Sequence, residues 1–463
     1  MDRPTPLSGF PELLPAQRQV EQQVVERLAR TFELHGFASV ETRAVEPLER
    51  LLHAGETSKE VYVVRRIHDE DGAAARAATL GLHFDLTVPF ARYVLENSGK
   101  LEFPFRRYQI QKVWRGERPQ EGRFREFTQA DIDVIGRDTL AFHHDVEVAR
   151  VMVDALRGLD FLPGFTLQVN NRKLIQGFYA GLGAQDLPAV MRTVDKLDRL
   201  PEAEVHGLLV SDAGLSTEQA DACVALARIS SEDASFVDRV RDLGVSHDLL
   251  EEGLTELAAV LEGCAPLVSD RVRVTADLRI ARGLDYYTGT VFETRLHGHD
   301  GLGSICSGGR YDALASDGRT TYPGVGISFG VSRTLVPLLN RGALGADRAV
   351  PSAVLVALVD EEGRTVSDAL AARLRDNGVP CEVASSAQKF GRQIRYAERR
   401  GIPYVLFPGS DEAQPDACEV KDIRSGDQFP VDLASWTPPV EDLRPRIHLD
   451  QIPAPTHEGS TRP

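Results

Sequence analysis

Apolar residues recur at Val20, Val24, Leu28 and Phe32, the spacing of one helical face, so residues 16 to 35 are predicted to form an amphipathic helix stopping near His35-Gly36. A strand over Ala38 to Thr42 follows, then Pro47 and a short helix through Leu52. From residue 106 the period changes to two. Arg107, Gln109, Gln111, Val113 and Arg115 share one parity, mostly polar, while Tyr108, Ile110 and Trp114 lie between them and only Lys112 breaks the apolar row. Past a charged loop, Arg125, Phe127, Gln129, Asp131 and Asp133 share one parity and Thr128, Ala130, Ile132 and Val134 the other. The pattern predicts a two-stranded unit with one packed face and one polar floor.

From about 172 to 270 the chain turns helical, acidic and rich in leucine and alanine, as in Leu187 to Leu200 and Leu249 to Leu261. It is flanked by strand-like segments, Phe165 to Asn170 and Val272 to Asp277, so an inserted helical domain is expected. Residues 341 to 351 read as a linker. Beyond it, an apolar strand over Val354 to Val359, a helix over Thr365 to Asn377 stopped by Gly378, and a buried strand over Pro403 to Pro408 predict a small α/β domain. The proline-rich end from Pro438 is too poor in apolar residues to bury itself and is expected to be disordered.

Composition narrows the function. The 463 residues, 42% hydrophobic and 26% charged, are those of a soluble globular chain of two to four domains. A net charge of −16 argues against nonspecific nucleic-acid binding, so any RNA contact must be local. The 5 cysteines show no CxxC spacing, which predicts reduced thiols in a cytoplasmic protein and no structural metal. No run approaches the ~20 apolar residues of a membrane span, and the N-terminus lacks a signal-like apolar core. Against this acidic background, residues 106 to 127 hold seven basic side chains (Arg106, Arg107, Lys112, Arg115, Arg118, Arg123, Arg125) and three acidic ones (Glu117, Glu121, Glu126), a local +4 suited to phosphate oxygens or an RNA end. A solvated hairpin edge is the plainer alternative.

The wording of the segment decides for chemistry. Arg115-x-Glu117, a loop with Pro119 and Gly122, and Arg125-x-Phe127 resemble motif 2 of the class II aminoacyl-tRNA synthetases, and the continuation from Phe127 to Asp133 resembles the histidyl-tRNA synthetase branch. Arg282-Gly-Leu-Asp-Tyr-Tyr-Thr-Gly289 resembles the signature of that branch, and Ser307-Gly-Gly-Arg-Tyr-Asp312 its second histidine-specific motif. Gly324 to Gly330 leading to Arg333 resembles motif 3, although the family more often has an acid where this chain has Ser332. The helix, strand and proline of residues 16 to 52 resemble motif 1, the family's dimer interface. Gln388 to Arg400, with five bases and one acid, and the later Lys421-Asp-Ile-Arg-Ser-Gly426 resemble the anticodon-binding domain of several class II synthetases.

The resemblance implies a mostly antiparallel catalytic sheet of six to seven strands with helices (1–171 and 271–345), a helical insertion (172–270), an α/β anticodon-binding domain (352–437) and a tail (438–463), an α+β architecture overall. It implies that ATP, with Mg²⁺, and L-histidine give histidyl-adenylate, and that histidine then passes to tRNA(His) on a homodimer. Arg115 and Arg282 would hold the α-phosphate, Arg333 the γ-phosphate and one adenine face, and Phe127 the other; Arg123 joins the ATP set. Glu117 would orient Arg115 or accept from the adenine amino group. Asp85 and Thr87 would meet the substrate α-ammonium, with Gln129 at the same end and Arg282 on the carboxylate. Asp133 and Tyr286 or Tyr287 would meet the imidazole, unless Asp133 pairs with an arginine of its own hairpin. Gln120, Lys389, Arg392 and Arg395 would face tRNA. Two rivals are a synthetase-like regulatory subunit of histidine biosynthesis and a class II synthetase for another amino acid.

Overall fold

The computed structural model describes residues 4–52, 60–66, 79–280, 287–409 and 417–449. Contacts divide the chain into two compact units, Met1–Pro11 with Val24–Pro337, and Glu12–Gln23 with Leu338–Pro463. The predicted first helix is Pro15–Leu34, with Val20, Val24, Leu28 and Phe32 fully buried.

The first unit is built on a 9-stranded sheet. Its order runs Ala38–Ser39, Phe105–Trp114, Glu126–Ile135, Gly324–Gly330, Ser304–Tyr311, Thr290–Leu296, Phe165–Asn171, Val272–Asp277 and Ser230–Ser231. Neighbours are antiparallel except Ala38–Ser39 with Phe105–Trp114, and Phe165–Asn171 with Val272–Asp277. The count exceeds the expected six to seven because two strands of 2 residues extend the edges. The strand expected over Ala38 to Thr42 is cut to Ala38–Ser39, and the Thr42 carbonyl accepts from the Gln111 side chain, Nε2 at 3.0 Å, instead of from a neighbouring strand.

Register fixes the two faces of this sheet. Arg107 stands opposite Asp133, Gln109 opposite Asp131 and Gln111 opposite Gln129, and the next strand sets Gly326 beside Asp133 and Ser328 beside Asp131. These residues share the front. The rear carries Ala130, Ile132, Val134, Val325, Ile327 and Phe329, buried beneath helix His143–Arg157, while helix Asp248–Cys264 covers strands Phe165–Asn171 and Val272–Asp277. The polar floor is not open to water, however: Arg107, Gln109, Asp131 and Asp133 are all buried. Both faces are interior.

The inserted residues 172–270 are helical as predicted but form no separate contact unit. They supply the edge strand Ser230–Ser231, and helix Asp248–Cys264 crosses Arg172–Gly181 so closely that a Cβ on Gly253 would lie 2.2 Å from the Leu174 nitrogen. Glycine is required there.

The second unit has a 5-stranded sheet in which Cys381–Val383, Val354–Val356 and Tyr404–Phe407 run parallel and Ala417–Asp422 and Gln428–Asp432 add antiparallel. Helix Arg364–Asp376 packs Leu370, Ala371 and Leu374 against one side. Two expectations need correction. The segment read as a linker contains strand Leu344–Ala346, and the segment read as a disordered tail supplies its partner, Ile447–Leu449. Asp442, between them in sequence from that partner, is buried and bound by Tyr404 and Arg424, so 438–449 is fastened by polar bonds that its poverty in apolar residues does not reveal.

Candidate active site

On the front of the sheet, the loop between Trp114 and Glu126 and the start of helix Val331–Asn340 enclose a cavity of about 80 Å³. Arg115, Glu117, Arg123, Phe127, Gln129 and Arg333 all line it. Five of these are the residues assigned from sequence to ATP. The Arg115 guanidinium stacks 5.1 Å from the Phe127 ring and is held by the Phe84 carbonyl at 3.0 Å from Nε. Glu117 faces Arg123 at 3.6 Å. Arg333 donates to the Leu302 carbonyl at 3.0 and 2.8 Å; burial, Arg123 and Arg115 press its pKa down, so three guanidiniums converge where an anion is wanted. The residue before it, Ser332, accepts from the Thr128 backbone N–H at 2.9 Å and so ties the helix start to the motif-2 strand. A carbonyl rather than an acid therefore steadies Arg333. An adjoining space of about 670 Å³ shares Arg123, Ser304, Ser307 and Arg333 with the first and runs to Asp195, Asp198 and Arg199 of the inserted segment.

Deeper on the floor lie the residues expected at the amino-acid end. Asp133 Oδ2 pairs with Arg107 at 2.7 Å, and its Oδ1 accepts from the Tyr311 hydroxyl at 2.7 Å. This is the alternative kept open above, an acid paired with an arginine of the same hairpin. Glycine makes the arrangement possible, since a Cβ on Gly326 would sit 2.1 Å from Asp133 Oδ1 and one on Gly324 2.4 Å from the Tyr311 ring. Asp85 Oδ1 accepts from the Val88 N–H at 3.1 Å where helix Thr87–Asn97 begins, so one of its oxygens is spent on the first turn of that helix. Tyr287 is half-buried beside Gly309, whose added Cβ would lie 3.0 Å from its ring. Arg282 and Tyr286 lie outside the described residues.

Six buried atoms on this floor have no hydrogen-bond partner: Asp85 Oδ2, Gln109 Oε1, Gln129 Oε1, Asp131 Oδ1, and Nε and Nη1 of Arg107. Buried polar atoms are ordinarily bonded, so such a concentration marks a place built for a ligand. Burial raises the pKa of Asp85 to about 6 and of Asp131 to about 7, and also raises that of Asp133, each opposed by Arg107. Arg107, Gln109, Asp131 and Tyr311 were given no site role from sequence. The parity of the first three was visible; that of Tyr311 needed the strand register.

One group of metal-type side chains occurs among the described residues, His143, His144 and Glu147, at the start of the rear helix. Arg106 already occupies both oxygens of Glu147 at 2.7 and 3.2 Å. In the second unit, Gln388, Arg392, Arg395 and Arg399 line a cavity of about 290 Å³ beside helix Phe390–Arg400, and Lys389 immediately precedes that helix. Gln120 is exposed in the motif-2 loop of the first unit.

Comparison with known proteins agrees with this geometry. The family described as Histidyl-tRNA synthetase matches residues 9–334, and that described as Anticodon binding domain matches residues 353–440. The chain is 59% identical over 452 residues to the histidine–tRNA ligase of Cutibacterium acnes, covering 96% of this chain and 99% of that one. Among solved structures, the histidyl-tRNA synthetase of Nostoc sp. PCC 7120 superposes with a TM-score of 0.82 at 33% identity, covering 93% of this chain and 97% of that one. A structure from Bacillus halodurans C, described as an ATP phosphoribosyltransferase regulatory subunit/histidyl-tRNA synthetase, has a TM-score of 0.69 at 20% identity over 84% of this chain and 96% of its own, a likeness of fold alone.

Proposed function

The chain belongs to the histidyl-tRNA synthetase family, and we propose on that premise that it is an ATP-dependent histidine–tRNA ligase in which the front of the sheet is the site of both half-reactions. The observation that carries this reading is the contiguity of a cavity lined by Arg115, Arg123 and Arg333 with a floor of unpartnered acceptors. In the first step a carboxylate oxygen of histidine attacks the α-phosphorus of ATP, the bond to the β-phosphate breaks, and pyrophosphate leaves. In the second a ribose hydroxyl at the tRNA end attacks the carbonyl and AMP leaves. ATP enters as its Mg²⁺ complex.

These are displacements that need charge placed in advance more than a protein base. Arg115 takes the α-phosphate, with Arg282 as its partner from the family signature. Arg333 stacks on adenine and meets the γ-phosphate, with Phe127 on the other adenine face and Arg123 near the outer phosphates. Glu117, held to Arg123, orients the loop or receives the adenine amino group. Asp85, Thr87 and Gln129 serve the α-ammonium, and Tyr286 or Tyr287 the imidazole. Asp133 reaches the imidazole while still bonded to Arg107 and Tyr311, since a carboxylate has about four lone-pair sites.

In the first unit Gln120 and the larger front space receive the acceptor end of the tRNA, and in the second unit Lys389, Arg392 and Arg395 receive its anticodon. A homodimer through the motif-1 region fits the exposed edge strand Ala38–Ser39, and five unpaired cysteines fit a cytoplasmic enzyme. The regulatory-subunit alternative is disfavoured by the retained arginines and the C-terminal unit. Pyrophosphate exchange assayed with each of the twenty amino acids tests the proposal: exchange is expected with histidine alone. Absence of exchange, or exchange driven by another amino acid, overturns it.

A further inference from the structure

The amino-acid floor holds one carboxylate with no part in the roles above. Asp131 is buried, faces Gln109 across the hairpin, and stands two residues from both Gln129 and Asp133 on one strand, so the three point the same way. Its side chain is bonded to Ser328, whose hydroxyl accepts from Gln129 Nε2 at 2.8 Å. That bond uses the Gln129 amide nitrogen and leaves its oxygen to face the pocket. Gln109 is fixed in the same sense, its Nε2 spent on Thr42 Oγ1 at 2.9 Å and Gln111 Oε1 at 2.6 Å. The consequence is a set of four unpartnered acceptors, Asp85 Oδ2, Gln109 Oε1, Gln129 Oε1 and Asp131 Oδ1. Arg107 is paired with Asp133 and is the guanidinium that opposes Asp131, while Asp85 feels Arg115 and Arg107, so three carboxylates face two guanidiniums. Such a surface calls for a cation with several N–H bonds.

We infer that Asp131 is a specificity-determining residue of the proposed ligase site, its free oxygen accepting directly from the substrate α-ammonium beside Asp85 and Gln129. An ammonium offers three N–H bonds, which the unpartnered Asp85 Oδ2, Gln129 Oε1 and Asp131 Oδ1 would take, leaving Thr87 beside the group without a bond to it. The opposite possibility is that Asp131 is a neutral structural carboxyl, donating its own proton to Gln109 or Gln129. The charged and titratable groups around it are Arg107 on the neighbouring strand, Asp133 on its own, Asp85 at the helix start, and the Cys306 thiol, whose own pKa Asp131 helps raise. At low pH Asp131 gains a proton and loses its claim on the cation.

The test rests on the ligase reading and separates from it. Binding of histidine and of imidazolepropionate, which lacks only the α-amino group, is measured by calorimetry on the full-length wild type, Asp131→Asn and Asp131→Ser. Asn is isosteric and keeps the bond to Ser328; Ser is the second variant should Asn fold poorly. At pH 7.5 either variant should weaken histidine about 10-fold and imidazolepropionate by less than about 2-fold, as loss of one charge-assisted bond to the ammonium requires. The histidine difference between variant and wild type should narrow toward pH 5.5; imidazole titration is common to both ligands and cancels. Equal loss for both ligands, or no loss for either, overturns the assignment of Asp131. A wild type that binds no histidine and activates another amino acid overturns the ligase reading instead.

Discussion

Arg310 and Tyr311 are neighbours on one strand, and they point into two differently built interiors. Behind the sheet, Arg310 donates to Asp145 at 3.1 and 2.7 Å, to the Leu140 carbonyl at 3.1 Å and to Asp312 at 3.4 Å, while Thr290 supplies Asp145 with a further bond at 2.7 Å. Burial works against the Arg310 charge, but Asp145 and Asp312 together more than offset it and its pKa rises. No atom of that cluster is among the buried unpartnered ones. In front, Tyr311 reaches Asp133 in a cluster where Asp85, Asp131, Gln109, Gln129 and Arg107 all keep a bonding valence unused. Two charged clusters of similar burial thus differ in completeness. On the function proposed above, the complete one serves the fold and the incomplete one the ligand.

The sharpest way to break this distinction is to remove an arginine from each side. Arg310→Ala leaves the buried Asp145 without its counter-charge and should lower unfolding stability by about 3–5 kcal/mol, read as a fall in denaturation midpoint. Arg115→Ala removes a side chain anchored by a single carbonyl at the cavity, and should leave that midpoint nearly unchanged while reducing histidine-dependent pyrophosphate exchange by on the order of 10² to 10³. If both variants lose stability alike, the completeness of a cluster says nothing about its role.

The front and rear were unequally legible in the sequence. Alternation between Arg107 and Val134 announced a two-faced hairpin because strand geometry maps parity directly onto faces. The phosphate-type arginines Arg115, Arg123 and Arg333 were recognised from local wording and do meet at one cavity. What stayed hidden depended on register between distant segments. Asp133 is engaged by Arg107 and by Tyr311, and only the pairing of three strands reveals that. Apolar content likewise misjudged the end of the chain, where Ile447–Leu449 pairs with Leu344–Ala346 through backbone bonds that any composition could form.

That C-terminal segment offers a second complete cluster on which to test the rule. Burial alone would raise the Asp442 pKa, but bonds from Arg424, Tyr404 and Arg446 hold it down to about 2. A depressed carboxylate contributes stability that is present above the unfolded value of about 4 and is lost as pH falls through the folded one. Asp442→Asn should therefore destabilise the second unit by roughly 1.5–3 kcal/mol at pH 7 and much less near pH 2. Limited proteolysis within 338–449, compared at the two pH values with an acid-active protease and a neutral one, would show whether the pH dependence has this sign.

The smallest effect runs the other way. Asp131 has its pKa raised from 3.8 to about 7, chiefly by burial. A raised carboxylate contributes stability that is fully present below its unfolded pKa and is lost as pH rises through the folded one. A shift of about three units corresponds to at most ~4 kcal/mol, and relaxation around a coupled cluster reduces this to on the order of 1–2 kcal/mol. Asp131→Asn should thus be more stable than wild type at pH 8, with the advantage fading toward pH 5, where the wild-type carboxyl is already neutral. Adding saturating histidine at pH 8 should erase or invert the advantage, because an ammonium gives the ionised Asp131 the partner it lacks and so stabilises the wild type more than the variant, which binds histidine more weakly. Chemical denaturation of both proteins with and without histidine decides the matter. A variant less stable than wild type at pH 8 without ligand would mean that Asp131 is a finished structural group, and the front of the sheet would then differ from the rear by less than its unpartnered atoms indicate.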